Sequence, residues 1–177
     1  MQFFNEIIFR FIFYTLPHNG FSDALGIFCA EYLSYFLIIG FLFLVLSQRS
    51  WRHRMYFFCE ASLAIILSSG IITGFFKFFY YDPRPFMFYY FTPLINETGW
   101  SFPSGHSAFF YALALIIWDT DHTWGTVYFI LVILMTSARV FVGVHWPIDI
   151  IAGAFVGIIS AIAIRALLKS TRDQLKL

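Results

Sequence analysis

Five stretches of the chain are apolar over lengths close to that needed to cross a lipid bilayer as a helix. They comprise residues 24–46, 55–81, 105–118, 125–142 and 148–168. A helix that crosses the hydrocarbon core needs about 20 mostly apolar residues. The third stretch is shorter and crosses only if it extends through its flanks. The pattern therefore predicts an all-α fold, a polytopic transmembrane helical bundle with five full spans.

The composition supports this interpretation. Of the 177 residues, 60% are hydrophobic and 12% are charged, whereas a soluble domain of this length carries about twice that share of charge. The 25 phenylalanines suit a surface that faces lipid. A net charge of +1, without a basic run outside the loops, gives no reason to expect a nucleic-acid partner.

The N-terminal segment differs from the other apolar stretches. The segment of residues 3–16 is only 14 residues long, which corresponds to about 21 Å of helix. It includes the polar residues Asn5, Glu6 and Arg10. We predict an interfacial or half-inserted helix here, with a sixth full span as the alternative. The chain is then one membrane domain of residues 1–177, with this segment at 1–20, a core at 24–168 and a tail at 169–177.

The first of three polar clusters ends the second apolar stretch. It places Lys77 seven residues before Arg84-Pro85. Proline ends a helix and keeps the backbone before it extended, so both cations can point at one anion. The arginine offers two parallel donors that suit phosphate oxygens, and the lysine adds a point charge. Anchoring to lipid headgroups at the interface is the alternative explanation of this pair.

The second cluster, Pro103-Ser104-Gly105-His106, comes directly before the third apolar stretch. Ser104 suits a helix N-cap, and Gly105 allows a ligand to approach the backbone closely. The unpaired amides and the dipole of a helix N-terminus attract an anion, and His106 in the first turn can exchange a proton there. An ordinary capped helix start is the alternative.

The third cluster, between the last two spans, contains Arg139, His145 and Asp149. Pro147 suits the first turn of the helix that follows. Asp149 is four residues beyond His145 and can therefore bond one imidazole nitrogen, which fixes the tautomer and makes the other nitrogen more basic. A histidine–aspartate pair that only holds a loop is the alternative.

Counting the spans decides which loops share a side of the membrane. Residues 1–23, 82–104 and 143–147 fall on one side, here called the motif side. Residues 47–54, 119–124 and 169–177 fall on the other, here called the basic side. The basic side carries Arg49, Arg52, Arg54, Lys169, Arg172 and Lys176. Because positive charge near span ends favours the cytoplasm, we expect the motif side to face outward.

Two charged residues lie near the ends of their spans on the basic side and need partners. Glu60 and Arg165 lie in otherwise apolar stretches, and an unpaired charge at such a depth is costly. We therefore expect them to form an ion pair with a structural role.

Two histidines, three cations and one carboxylate on one side form a set that can break a phosphate ester. These residues resemble the three-part signature of the type-2 phosphatidic acid phosphatase (PAP2) superfamily: Lys-x6-Arg-Pro, Pro-Ser-Gly-His and Ser-Arg-x5-His-x3-Asp. The chain departs from it once, at Ala138, where the signature has serine. We expect this departure to remove one phosphate hydrogen bond, worth about 1 kcal/mol.

The resemblance implies a mechanism for a metal-independent membrane lipid phosphatase without a cofactor. His145, oriented by Asp149, would attack phosphorus in line and form a phosphohistidine intermediate. His106 would protonate the leaving oxygen and later help to activate water. The phosphate oxygens would be held by cations and helix-start residues: Lys77, Arg84, Ser104, Gly105 and Arg139.

Within the superfamily, the chain is most similar to bacterial undecaprenyl-diphosphate phosphatases of the bacitracin-resistance type. The details are Ser22-Asp23-Ala24, Ala30-Glu31-Tyr32 and Arg84-Pro85-Phe86-Met87. They imply hydrolysis of undecaprenyl diphosphate to undecaprenyl phosphate on the outer leaflet. Phosphatidylglycerophosphate and phosphatidic acid are alternative substrates, and a headgroup-binding transporter or flippase is the non-enzyme alternative. Oligomeric state is not predicted, because apolar surfaces that face lipid or protein look alike.

Overall fold

The computed structural model describes residues 2–175, and every regular element in that range is a helix. The predicted all-α class is therefore confirmed, while Lys176 lies outside the described residues. Within that range the helices are α1 (Gln2–Thr15), α2 (Gly20–Ser47), α3 (Trp51–Phe79), α4 (Pro85–Tyr89), α5 (Gly105–Thr120), α6 (His122–Phe141), α7 (Pro147–Leu167) and α8 (Lys169–Leu175).

Four of the described helices are long and apolar enough to cross a membrane. They are α2, α3, α6 and α7, with 28, 29, 20 and 21 residues. Many large side chains on them are more than half exposed, among them Phe43, Phe75, Ile130 and Phe155. Such a surface is incompatible with water and suits lipid. Helix α5 has only 16 residues, so five crossings stay a prediction while four are supported.

Helix α5 lies in the centre of the bundle. It packs against both α6 and α7, and its contact with α7 is the most extensive between any two described helices. Its buried side chains occur throughout its length: Ser107, Ala108, Phe110, Ala112, Leu113, Ala114, Ile116 and Ile117. Protein therefore surrounds most of α5.

Two glycines allow α7 to touch the backbone of α5. A Cβ atom at Gly153 would lie 2.5 Å from the carbonyl oxygen of Ser104, and one at Gly157 would lie 2.5 Å from that of Ala108. Small residues four apart permit such close helix contacts in membranes. The contact brings the start of α5 beside the start of α7, where the Ser104 amide donates to the Asp149 carbonyl at 3.0 Å.

The two longest helices each contain one wide π-helical turn. The first is Phe28–Tyr32 in α2, and the second is Ile66–Ile72 in α3. Such turns shift the residues that follow them around the helix axis and occur frequently at functional sites. Ser34 and Tyr35 come two and three residues after the first turn, Ser69 lies within the second, and all three line the cavity described below.

Helix α1 covers the motif side of the bundle. Phe9 is fully buried there, with its ring centroid 5.1 Å from that of Trp146. The Asn5 side chain accepts a hydrogen bond from the Ile148 amide at 3.1 Å. The opposite face of α1 exposes Phe11 and Tyr14. A helix of 14 residues with one packed and one exposed apolar face is consistent with the predicted interfacial position.

The prediction of an ion pair between Glu60 and Arg165 is wrong. Arg165 pairs with Asp119 at the end of α5, because α5 and α7 are the most closely packed helices. Glu60 is buried and instead accepts a hydrogen bond from the Tyr56 hydroxyl at 3.4 Å. These contacts nevertheless place the ends of α5 and α7 together on the basic side, as the count of spans predicts.

Candidate active site

A cavity of about 460 Å³ lies at the motif side among α2, α3 and α5. Five of the predicted site residues line it: Lys77, Arg84, Gly105, His106 and His145. The other three, Ser104, Arg139 and Asp149, are buried next to these residues but are not among those that line the cavity. The structure therefore brings the three motifs together around one space.

The Arg84 guanidinium is held in a fixed orientation by backbone carbonyl groups. Its Nε donates to Gly99 at 3.0 Å, its Nη1 to Val144 at 2.8 Å and its Nη2 to Thr98 at 3.1 Å. Nη1 also lies 3.3 Å from Nε2 of His145. Because a guanidinium can only donate, this contact identifies Nε2 as the nitrogen with the lone pair.

The other imidazole nitrogen of His145 faces a carboxylate. Nδ1 lies 3.2 Å from Oδ2 of Asp149, and this oxygen also accepts hydrogen bonds from the Trp146 amide at 2.8 Å and from the Ser101 hydroxyl. The Nδ1 proton is thus donated to an oxygen that two further donors hold in place. This arrangement keeps the ring oriented with Nε2 at the cavity.

The environment also keeps His145 uncharged. Burial lowers the pKa of His145 well below its ordinary value, and the positive charges of Arg139 and Arg84 lower the pKa further. A neutral imidazole has an available lone pair and can act as a nucleophile at ordinary pH. The geometry and the protonation state of His145 therefore suit the same chemistry.

The second motif forms the start of α5. The Ser104 hydroxyl accepts a hydrogen bond from the Ser107 amide at 3.4 Å and caps the helix as predicted. The Ser104 amide is occupied by the Asp149 carbonyl. The amides of Gly105 and His106 belong to the first turn, where helical geometry supplies no acceptor, and both residues line the cavity. These two amides are the ones available to an anion.

Replacing Gly105 by alanine tests whether a ligand approaches the start of α5. A Cβ atom there would meet only Ser69 Oγ at 3.7 Å and Thr73 Cγ2 at 3.8 Å, which are ordinary contacts. We expect Gly105→Ala to unfold at the wild-type temperature but to lose about tenfold or more in kcat/KM, because the methyl group displaces the phosphate. Gly74→Ala is the control, since nothing lies within 4 Å of its Cβ position. Unchanged kcat/KM would refute the close approach.

One site residue, Glu97, is not marked by any motif. It lines the cavity, and its carboxylate bridges Nη2 of Arg84, at 3.3 Å, and Nη2 of Arg139. Burial raises the pKa of Glu97, but the two arginines outweigh this effect and hold the pKa below its ordinary value, so the carboxylate is ionised. The sequence does contain one indication of Glu97, since it is the only charged residue between Arg84 and His106.

Ala138 is the one residue that departs from the signature. It is buried in an apolar cluster that includes Cys29 and Ala30 of the first π-helical turn. It is not among the residues that line the cavity. The expected loss of one phosphate hydrogen bond at Ala138 stays a prediction.

The residues that the structure describes contain no group of three or more histidine, cysteine, aspartate or glutamate side chains placed to hold a metal ion. The charged groups that do converge are the side chains of Lys77, Arg84, Arg139 and Glu97. Metal independence stays a prediction, and the assay proposed below tests it.

A family model for the PAP2 superfamily matches residues 57–172, from α3 to α8, and this range includes all three motifs. The chain therefore belongs to the PAP2 superfamily. The bacitracin transport permease protein BcrC of Bacillus licheniformis is 28% identical over 159 residues, 87% of this chain and 75% of the relative. Undecaprenyl-diphosphatase BcrC of Bacillus subtilis is 28% identical over 158 residues, 88% of this chain and 79% of the relative.

The fold of this PAP2 protein is also that of a solved relative. The crystal structure of LpxE from Aquifex aeolicus has a TM-score of 0.73 and 25% identity, and the match covers 91% of this chain and 94% of that chain. The prediction of PAP2 membership is confirmed, and so is the prediction of a multi-pass membrane protein that is a lipid phosphatase.

Proposed function

We propose that this PAP2 protein hydrolyses undecaprenyl diphosphate to undecaprenyl phosphate and orthophosphate through a phosphohistidine intermediate. The observation that carries the proposal is the convergence of His145, His106 and Arg84 on one cavity. The choice of substrate is supported by the BcrC relative named undecaprenyl-diphosphatase, which aligns with most of the chain.

In the first step, Nε2 of His145 attacks the terminal phosphorus and the bond from that phosphorus to the bridging oxygen breaks. Asp149 accepts the Nδ1 hydrogen bond and stabilises the charge that develops on the ring. His106 donates a proton to the leaving oxygen, so undecaprenyl phosphate departs. Water, deprotonated by His106, then attacks the phosphohistidine, which releases orthophosphate and restores His145.

Cations stabilise the phosphoryl group during both steps. Arg84 is aimed by three backbone carbonyls, so it needs no reorganisation when charge moves to the phosphate oxygens. Lys77 lines the same cavity, and Arg139 contacts Glu97, which also lines it. The protein thereby supplies the positive charge that a metal ion supplies in many phosphatases.

The cavity also has an apolar part that suits a lipid chain. Its wall includes Tyr35 and Ile38 of α2 and Phe109 and Phe110 of α5, next to the charged residues. A lipid with a diphosphate end matches this combination of polar and apolar walls. We place the phosphates at Arg84 and the first part of the chain along α2, from where it continues into the bilayer.

We further propose that one membrane domain crosses the bilayer five times, with α5 as the central crossing and the motif side outside the cytoplasm. The basic residues Arg49, Arg52 and Arg54 at the start of α3 support this orientation. Cysteine labelling at the two ends of the bundle in intact cells tests it. If cysteines on the motif side reacted only with a reagent that enters the cytoplasm, the proposed orientation would be wrong.

The experiment that tests the function measures orthophosphate release by the purified protein in detergent with EDTA. Undecaprenyl diphosphate, phosphatidylglycerophosphate and phosphatidic acid are compared at equal mole fraction in the micelle. We expect turnover in EDTA, with the highest kcat/KM for the prenyl diphosphate. Higher kcat/KM for a glycerophospholipid would overturn the substrate and keep the mechanism, whereas loss of turnover in EDTA would overturn metal independence.

A headgroup-binding transporter is the second candidate, because one relative is named a bacitracin transport permease. A transporter needs the cations that grip a phosphate but does not need a nucleophile. Trapping of a radioactive phosphoryl group from labelled lipid on His145 separates the two functions. An acid-labile label on the protein supports the phosphatase, whereas lipid binding without labelling of the protein supports the transporter.

A further inference from the structure

We propose that Glu97 is a resident counter-ion that competes with phosphate for Arg84 and Arg139 and so promotes release of orthophosphate after each turnover. The inference rests on the proposed phosphatase function and concerns the step that follows its chemistry. Glu97 would act through the two arginines and not on the reacting phosphorus, so it is a positioning residue.

The contacts of the two arginines show which donors Glu97 occupies. Backbone carbonyls of Gly99, Val144 and Thr98 accept hydrogen bonds from Nε, Nη1 and Nη2 of Arg84. The carbonyl of Ala30 takes Nη1 of Arg139 at 3.1 Å. The Glu97 carboxylate, which lines the cavity, contacts Nη2 of Arg84 and Nη2 of Arg139. A phosphate oxygen that takes these two Nη2 donors must therefore displace the carboxylate.

Glu97 is also the partner that can move. Its side chain is 22% exposed, whereas the side chains of Arg84 and Arg139 are each 2% exposed. It lies in the irregular segment between α4 and α5, while Arg139 lies within α6. The carboxylate can thus rotate towards the opening of the cavity while the arginines stay in place.

A competing carboxylate has two consequences for a cavity with three cations. In the empty site it pairs with two buried guanidinium groups, which are costly to leave unpaired, and offsets one of their two positive charges. After hydrolysis it returns to them and lowers the affinity for orthophosphate, which three cations would otherwise retain. Product release then becomes an exchange of one anion for another.

Orthophosphate binding by Glu97→Gln in detergent tests the exchange without any lipid. Glutamine keeps the size of the side chain and removes its charge. We expect about tenfold tighter binding than in wild type, because two charge-assisted hydrogen bonds to the carboxylate no longer compete. The variant without phosphate should unfold at a lower temperature than wild type and should gain more from added phosphate. In turnover, kcat should fall with KM unchanged or lower, and added phosphate should inhibit more strongly.

Asp82→Asn is the matched control on the motif side. Burial and then the charge of Asp149 raise the pKa of Asp82 to about 6, so this variant also removes one negative charge at pH 8. Among the described residues Asp82 takes part in no ion pair. Its phosphate affinity should stay within about threefold of wild type, since only a screened, longer-range interaction changes.

Equal or weaker phosphate binding in Glu97→Gln would overturn the inference, because Glu97 would then only orient the arginines. If the glutamine variant does not fold, Glu97→Ser gives the same test with a smaller polar side chain. The affinity of these variants for orthophosphate decides the role of Glu97, whereas lipid turnover by the wild-type protein decides the proposed function. Either can therefore fail without the other.

Discussion

Replacing His145 by glutamine is expected to lower orthophosphate release by about 10⁴-fold or more, because the side chain loses its nucleophilic nitrogen. Glutamine can still donate a hydrogen bond to Asp149, so the buried carboxylate keeps a partner and the fold is preserved. The measurement is steady-state release from the lipid that wild type hydrolyses fastest, with thermal unfolding followed in parallel.

The control for this variant is His122→Gln. His122 begins α6 on the basic side, where its ring stacks on Trp118 and is exposed. We expect this variant to keep wild-type turnover. Turnover by His145→Gln within about tenfold of wild type would show that another group attacks phosphorus, since the loss of a nucleophile costs far more than the loss of one hydrogen bond.

Replacing Arg84 by lysine is expected to lower kcat/KM by about 10³-fold, because the planar donors that meet developing charge are lost. An ammonium group cannot satisfy the carbonyls of Gly99, Val144 and Thr98 in the geometry that the guanidinium satisfies. We therefore also expect a lower unfolding temperature. Kinetics on the best lipid substrate and a melting curve in the same detergent measure the two effects.

Arg10→Lys is the matched substitution for comparison. Arg10 is exposed on α1 at the motif side and lies outside the cavity. It should retain both the activity and the stability of wild type. If Arg84→Lys retained kcat/KM within about tenfold, charge alone would be enough and the fixed orientation of the guanidinium would have no catalytic value.

The apolar stretches predict the helices of this protein well, because length and hydropathy decide whether a segment can pass through hydrocarbon. They do not predict the π-helical turns Phe28–Tyr32 and Ile66–Ile72. A wider turn would rotate the polar face of an amphipathic helix around the helix axis. A segment that is apolar on all sides has no polar face, so its sequence does not show this rotation. The spacing of Gly153 and Gly157 is visible in the sequence, but their partner helix, α5, is known only from the packed bundle.

The candidate site is predicted in part. Lys77, Arg84, Gly105, His106 and His145 can be named from motif spacing, since each cluster lies at the end of a helix on the same side. Glu97 and Ser101 cannot be found in that way. They lie in the segment between α4 and α5, whose path depends on long-range hydrogen bonds from Arg84 to the backbone and from Ser101 to Asp149.

The apolar wall formed by Tyr35 and Ile38 has a consequence for how the enzyme meets its substrate. A lipid that enters along α2 keeps its chain in the bilayer, so the encounter takes place by diffusion in two dimensions. The quantity that sets the rate is then the number of substrate molecules per lipid, not their number per litre. Adding inert lipid or detergent at constant total substrate would slow the reaction by surface dilution.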